Sequence, residues 1–474
     1  MLNKLGATSS DYSKVTVNHS NTDIDGNTYV VGQYEGKLIL GKTEYLDYGG
    51  SGFVAKFDNQ GNVIWSSTFK FSIKDPYFGI EKIYFDKNGK IYVTGQFEDF
   101  VDFGNGIKLT KYSFSRFLAV FGSDGKILWT KDIMVDLVTL DGKIFLFGRS
   151  PTGIDVLAFN NTSGLYETTS FKNLWTPSDG YINSFKVFGN IVYFIATIHD
   201  FSSGQFNIST GVYKYMTDSN QLETIASIPQ YLGGFDNFEV NYNALYILGA
   251  FDINNRKRVF GEFTVKSPFD STYYVPYASG REGGFFVKYD LISKKFEWAK
   301  VIKNMSSLGF NNFLVSGNNA LYLTTGACCG SLNDLSCYSA KGDSLWTRTF
   351  YTDGQNIAEY SGLGVDNNGN VYASGTVSSG GHTATFGDLS FRYEVFAGFL
   401  AKIGYPLPTQ PQNLIGQAIS TSSIKLTWID GKYETGYNVE GKSSDDASYS
   451  LISTLKSNSS QFTATNLDCR KAYS

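Results

Sequence analysis

Asp23-Ile-Asp-Gly-Asn-Thr-Tyr-Val-Val-Gly32 and, further on, Gly52-Phe-Val-Ala-Lys-Phe-Asp-Asn-Gln-Gly-Asn-Val-Ile-Trp65 decide the fold of this chain. Asp-Gly and Gly-Asn supply the positive φ that tight hairpins need, and the apolar runs behind them read as strands. The first run recurs as Tyr92-Val-Thr-Gly95, Phe145-Leu-Phe-Gly148, Tyr193-Phe-Ile-Ala196, Tyr246-Ile-Leu-Gly249, Tyr322-Leu-Thr-Thr325 and Tyr372-Ala-Ser-Gly375. Counted from Tyr29, the steps are 63, 53, 48, 53, 76 and 50 residues. A drifting period near 50 in a strand-rich chain predicts an array of small antiparallel sheets, of which the propeller is the closed form.

The second hairpin recurs too. Phe57…Gly61…Trp65 is matched at the same spacing by Phe121…Gly125…Trp129 and Tyr338…Gly342…Trp346, and Tyr289…Trp298 carries one extra residue. Each places a turn between an apolar strand and a Trp able to cover a blade face. The two patterns together resemble the bacterial β-propeller repeat known as the SBBP repeat, most clearly at residues 23–70, 84–133 and 363–403. The resemblance implies an extracytoplasmic propeller of the kind found in surface proteins, with structural motifs and no catalytic residues. Residues 1–404 are therefore expected to form a seven-bladed β-propeller, its last blade completed by a strand donated from Met1–Gly6, because closure removes exposed strand edges.

Three of the nine prolines fall in Pro406-Leu-Pro-Thr-Gln-Pro411, so 405–410 reads as a stiff linker. Beyond it, Leu426-Thr-Trp428, Tyr437-Asn-Val439 and Phe462 have the pattern of a two-sheet sandwich, and the spacing resembles a fibronectin type III domain. Residues 411–474 are shorter than such a domain, so this segment is expected to be incomplete at its C-terminus and to expose unpaired edges and part of its core. The fold class expected for the whole is all-β.

Composition narrows function. Forty basic against 44 acidic residues leave a net charge of −4, which supplies no field for capturing nucleic acid. No apolar stretch is long enough for a membrane helix, so direct membrane insertion is not expected. Only 18% of residues are charged, leaving a surface of Ser, Thr, Asn, Gln and Tyr that suits a secreted or cell-surface protein. Met1–Ser10 lacks the apolar core of a signal peptide, so either the protein is cytoplasmic or a leader has been removed or cut off, and the second is expected. Cys328, Cys329 and Cys337 read as one loop, where a Cys329–Cys337 or Cys328–Cys337 disulfide is conceivable.

Chemistry is sparse. His19, His199 and His382 are far apart in sequence and form no nucleophile–base set by spacing. The turns at Asp23, Asp86 and Asp366 mimic the start of a calcium loop but lack its distal Glu, and read as plain hairpin turns. Asp99, Asp102 and Asp200 follow inner strands and are the candidates for a glycosidase pair, although nothing in the sequence pairs them. No catalytic, metal or cofactor site is assigned. The long step at the fifth repeat holds Arg256, Lys257, Arg258, Tyr273, Tyr274, Tyr277 and Arg281, an Arg/Tyr set suited to a protein or glycan partner. Three readings follow: a non-catalytic surface binding or scaffold protein, a carbohydrate-active enzyme, or a structural subunit of a surface secretion or motility assembly.

Overall fold

The computed structural model describes residues 2–6, 13–72, 79–86, 88–133, 136–140, 143–150, 153–160, 179–188, 191–200, 207–216, 219, 221–228, 235–241, 243–252, 257–260, 262–266, 281–302, 310–315, 320–325, 333–352, 358–378, 382–387, 389–393, 396–404, 411–431, 436–446, 448–456 and 459–473. The described residues form strands and turns and no helix. The chain divides into two compact units, Met1–Ile403 and Gly404–Ser474.

The first unit is built from antiparallel up-and-down strand groups. In the 14–71 group, Lys14–Thr22, Thr28–Leu40, Thr43–Phe57 and Val63–Phe71 pair in chain order. The same order holds in Asp179–Phe188, Ile191–Asp200, Asn207–Met216 and Gln221–Ile228, and again in Phe235–Asn241, Ala244–Asp252, Arg281–Asp290 and Lys295–Ile302. The 80–133, 136–160, 310–352 and 358–403 groups follow the same plan, the 136–160 group with three described strands. Successive opening strands lie side by side: Lys14–Thr22 against Ile80–Phe85, Asp136–Leu140 against Asp179–Phe188, then Phe235–Asn241, Phe310–Val315, Ala358–Val365, and from there back to Lys14–Thr22.

The core sits between neighbouring groups. One cluster joins Tyr29, Val54 and Phe69 of the first group to Ile83, Val93, Phe97 and Phe117 of the second. Another joins Tyr322, Leu335 and Phe350 to Tyr360, Val371 and Phe399. Each group thus buries a face it cannot bury alone, which is why a repeat array is stable only as an array.

The small residue closing each Tyr-x-x-Gly run is explained by packing. A methyl at Gly95 would stand 2.6 Å from Gly79 O and 2.7 Å from the Phe117 ring. At Gly32 and Gly375 the rings of Phe53 and Phe399 lie equally close. The Lys three residues after that Phe lies over the run's Tyr, with Nζ 4.9 Å from the Tyr29 centroid for Lys56 and 5.3 Å from Tyr372 for Lys402.

Leu2–Leu5 pairs antiparallel with Phe396–Ile403, the arrangement expected of the N-terminal segment. Around this seam Ser374 Oγ donates to Ser20 Oγ at 2.7 Å, and Val17 N–H to Thr376 Oγ1 at 2.9 Å. Elsewhere a hairpin covers the outer edge of the preceding group: Lys70–Phe71 pairs with Val101–Asp102, and Phe350–Thr352 with Ala384–Phe386.

The second unit has a three-stranded sheet, Gln412–Ser420, Ser423–Ile429 and Gln461–Ala464, and a two-stranded sheet, Gly436–Gly441 and Ser450–Lys456. Trp428 and Val439 are buried, and the Trp428 and Tyr437 rings meet edge to face at 5.4 Å. Leu414, Ile415, Ile419, Ile429 and Leu451 are exposed.

Cys337 lies not in a surface loop but within the strand Asn333–Tyr338, paired between Tyr322 and Trp346. It is a buried free thiol in a strand buried on both faces, with Leu335 and Ser336 buried beside it, at the position held by Lys56 in the first group. Cys329, its expected partner, lies outside the described residues, as does Cys328.

Candidate functional site

The repeated turns are consumed by architecture. Asp86 Oδ1 accepts the backbone N–H of Asn88 and Lys90 at 2.9 and 3.0 Å, and its Oδ2 accepts the Tyr92 hydroxyl at 2.8 Å. Asp366 repeats the pattern with Asn368, Asn370 and Tyr372, the last at 3.1 Å, and Asp23 repeats it with Asp25, Asn27 and Tyr29. Burial and the adjacent carboxylate hold the Tyr29 and Tyr372 hydroxyls well above the usual phenol range. These carboxylates therefore anchor their own hairpins, and no acidic or His/Cys cluster suited to a metal occurs among the described residues.

The repeat's Trp does more than cover its own sheet. Trp65 Nε1–H donates to Ser123 O at 3.0 Å, in the turn of the next group. Trp298 Nε1–H donates at 3.2 Å to Ala340 O, the corresponding residue of another following turn. Four residues beyond each Trp stands a buried apolar residue: Phe69, Ile133, Ile302 and Phe350, all at most 4% exposed. The spacing Trp-x-x-x-apolar was visible in the sequence, but the contact across groups was not.

A second periodic feature emerges only in three dimensions. The opening strands other than Asp136–Leu140 carry a bulge in equivalent register, opposite the small residue that closes the neighbouring run: between Val17 and His19, Ile80 and Lys82, Ile182 and Ser184, Phe235 and Asn237, Phe310 and Asn312, and Tyr360 and Gly362. The residue squeezed out is polar each time: Asn18, Glu81, Asn183, Asp236, Asn311 and Ser361. Bulges re-aim side chains, and here they stitch the opening strands together. Asn18 Nδ2 donates to Ile80 O at 2.8 Å, and Ser361 Oγ donates to the equivalent Val17 O at 2.5 Å.

Charged groups gather beside these bulges. Glu81 accepts from Gln96 and pairs with Arg116 at 3.3 Å. Glu239 is buried and ion-paired to Lys186 of the preceding group, yet burial pushes its carboxyl above the usual range. His19 Nδ1 accepts the Ile83 N–H at 3.4 Å, and its ring lies 6.3 Å from that of Tyr84. Burial, reinforced by the positive charges of Lys82 and Lys186, holds His19 down to about 3. It is thus a neutral imidazole that accepts a backbone hydrogen bond. Lys82 is exposed and has no ion-pair partner among the described residues.

Of the residues singled out from sequence, Arg256, Tyr273, Tyr274 and Tyr277 lie outside the described residues. Lys257 and Arg258 open a short hairpin, Lys257–Phe260 with Phe263–Lys266, that packs Phe260 and Val265 into the core shared by its own group and the preceding one. Arg281 begins the next strand, opposite Asp252. Asp102 is a turn former, its Oδ1 accepting Gly104 N–H at 2.9 Å, and Asp99 holds a left-handed φ of 67°. Asp200 ends a strand of another group, opposite Asn207. His19, His199 and His382 belong to three different groups.

No family model matches the chain, so neither repeat nor sandwich resemblance is matched there. No curated protein matches it either. Among solved structures, it is similar to a protein of unknown function from Bacteroides caccae, at 12% identity over 62% of this chain and 89% of that one, with a TM-score of 0.33. It is also similar to an acylaminoacyl peptidase from Pyrococcus horikoshii, at 11% identity over 79% of this chain and 57% of that one, TM-score 0.37. A third is a prolyl endopeptidase, at 11% identity over 90% of this chain and 54% of that one, TM-score 0.40. The chain spans little more than half the length of either peptidase.

Proposed function

We propose that this chain is a non-catalytic binding and scaffold protein, secreted or held at the cell surface. In this reading residues 1–404 are a seven-bladed propeller of SBBP type, and residues 411–474 a fibronectin type III-like unit that spaces it. The chain-order pairing within each strand group and the side-by-side opening strands support the propeller. Trp428, Tyr437 and Val439 support the sandwich.

One observation carries the functional part. Among the described residues, three groups at the bulged opening strands that could move protons are held by structural partners: Glu239 by Lys186, Glu81 by Gln96 and Arg116, and His19 by the Ile83 amide. General acid–base work needs a group free to exchange its proton with substrate. What the bulges offer is polar and cationic surface, led by Lys82, which suits recognition of a protein or glycan. Lys257, exposed in the fifth group, is proposed as a second recognition residue.

A glycan array read alongside a turnover screen on the same glycans tests this. The expected outcome is capture without turnover, weakened at least tenfold by Lys82→Glu or by Lys257→Glu. Turnover of any captured glycan would overturn the reading in favour of a carbohydrate-active enzyme.

A further inference from the structure

Asn-Gly, the pair whose main-chain nitrogen can attack the asparagine side chain, occurs three times: Asn88–Gly89, Asn105–Gly106 and Asn368–Gly369. The fold puts the three in two different settings. At Asn88 and Asn368 the glycine is the last residue of its turn, and its N–H donates to Asp86 O and Asp366 O, each at 3.0 Å. The asparagine N–H is held as well, donating to Asp86 Oδ1 and Asp366 Oδ1 at 2.9 Å. These two pairs belong to the repeated Asp turns, so their main-chain nitrogens are committed to the hairpin.

Asn105–Gly106 is built the other way. It supplies the two central residues of its turn, with φ of 52° and 79°, and the closing bond runs from Ile107 N–H to Gly104 O at 3.0 Å. Two successive positive φ values make the primed hairpin turn, which selects Asn-Gly for its backbone and leaves the N–H of the second central residue out of the closing bond. Among the described residues, Gly106 N–H and the Asn105 side chain have no hydrogen-bond partner, and both residues are exposed. A Cβ built on Gly106 would have nothing within 4 Å, so neighbouring strands do not crowd it.

We propose that Asn105 is a self-modification site, converting in water to aspartate and isoaspartate ahead of Asn88 and Asn368. Gly106 N loses its proton to water or hydroxide and attacks Asn105 Cγ. The N–Cγ bond forms, the Cγ–Nδ2 bond breaks, and Nδ2 takes up a proton and leaves as ammonia. Water then opens the cyclic imide at either carbonyl, so one water is consumed for each ammonia released and nothing is oxidised or reduced. Opening at Cγ restores the main chain with an aspartate; opening at the main-chain carbonyl gives isoaspartate and lengthens the backbone by a methylene. The longer backbone acts on the core. The same turn ties Phe103 N–H to Ile107 O at 3.0 Å, and Phe103 is buried with its ring 4.8 Å from that of Phe69 and 5.5 Å from that of Phe117. Conversion therefore loosens a loop anchored between the first and second groups. This chemistry stands independently of the binding role proposed above.

The test incubates the full chain in mildly alkaline buffer, native and unfolded in urea, and follows the three pairs by peptide mass spectrometry. Dividing each native rate by its unfolded rate removes the effect of neighbouring residues in sequence. That ratio should be at least fivefold higher at Asn105 than at Asn88 or Asn368. Fivefold is about 1 kcal/mol, the usual net worth of the one hydrogen bond that the other two glycines must break. In the deamidated fraction, separated by charge, the Ile107 amide should exchange at least fivefold faster than in the parent chain. Equal ratios at the three pairs, a higher one at Asn88 or Asn368, or no conversion of Asn105 in the native chain would overturn the proposal. Unchanged exchange at Ile107 would overturn the loosening of the turn.

Discussion

Gly95→Ala isolates the packing demand behind the repeat. The added methyl would meet Gly79 O at 2.6 Å and two atoms of the Phe117 ring at 2.7 Å. Neither neighbour yields easily: Gly79 O accepts Gln96 N–H at 2.7 Å, and Phe117 is wholly buried between two groups. Overpacking of this kind typically costs 1–3 kcal/mol, and loosening the Gln96 bond adds roughly 1 kcal/mol, so a loss of about 3 kcal/mol is expected. Gly104→Ala is the control. It lies in the same group at φ +78° with open space around it, so only backbone strain remains, roughly 1–2 kcal/mol less what the restricted unfolded chain returns. Urea unfolding followed by circular dichroism measures both. Phe117→Leu in the Gly95→Ala background should relieve part of the clash, so the double variant loses at least about 1 kcal/mol less than the sum of the singles. A Gly95→Ala loss no larger than that of Gly104→Ala, or strict additivity with Phe117→Leu, would refute the claim that the ring and carbonyl dictate glycine here.

Other outcomes follow from the same geometry. Trp65→Phe should lose about 1 kcal/mol in urea unfolding by removing the indole bond to Ser123 O, and Trp298→Phe a similar amount. Tyr92→Phe leaves Asp86 Oδ2 short of its hydroxyl donor in a buried setting, at a cost of about 1–3 kcal/mol. His19 titrates at 6.5 when unfolded and at about 3 when folded, so the unfolded chain binds the extra proton first as pH falls. Its contribution is intact above pH 6.5 and declines by about 1.4 kcal/mol per pH unit below it, towards pH 3. His19→Gln should flatten the stability profile over that window. Burial pushes the Cys337 thiol up to about 12, so iodoacetamide at pH 8 should leave it unlabelled in the native protein and label it after unfolding, whereas exposed Cys469 reacts in both.

The hairpin signals made the strand content legible, because Asp23-Ile-Asp-Gly-Asn27 and its repeats encode local geometry that the backbone must follow. The Tyr-x-x-Gly run was readable as a repeat, but its reason was not: Phe53, Phe117 and Phe399 stand over the glycine from the next strand, a relation set by register rather than by spacing. Trp65 and Trp298 were expected to cover their own sheets. Their hydrogen bonds run instead to the following group, which no single repeat can reveal. The bulges at Asn18, Glu81 and Ser361 left no mark in sequence beyond polarity, since a bulge is defined by two strands together. Cys337 was misplaced because Cys328 and Cys329 nearby suggested a shared loop. The Lys56 position it occupies shows only when Tyr322 and Trp346 are aligned with Tyr29 and Trp65.

The seam also bears on the order in which the molecule can be made. Leu5 pairs with Gly398, so nearly the whole unit is synthesised between this strand and its partner. At 5–20 residues per second, the interval is roughly 20–80 s. Throughout that time the opening group can form its own hairpins, yet its neighbour across the seam does not exist. Asn3 and Lys4 make the waiting strand polar, a composition that keeps it soluble where a wholly apolar one would seek other edges. The polarity of the clasp is thus the counterpart of its long wait on the ribosome.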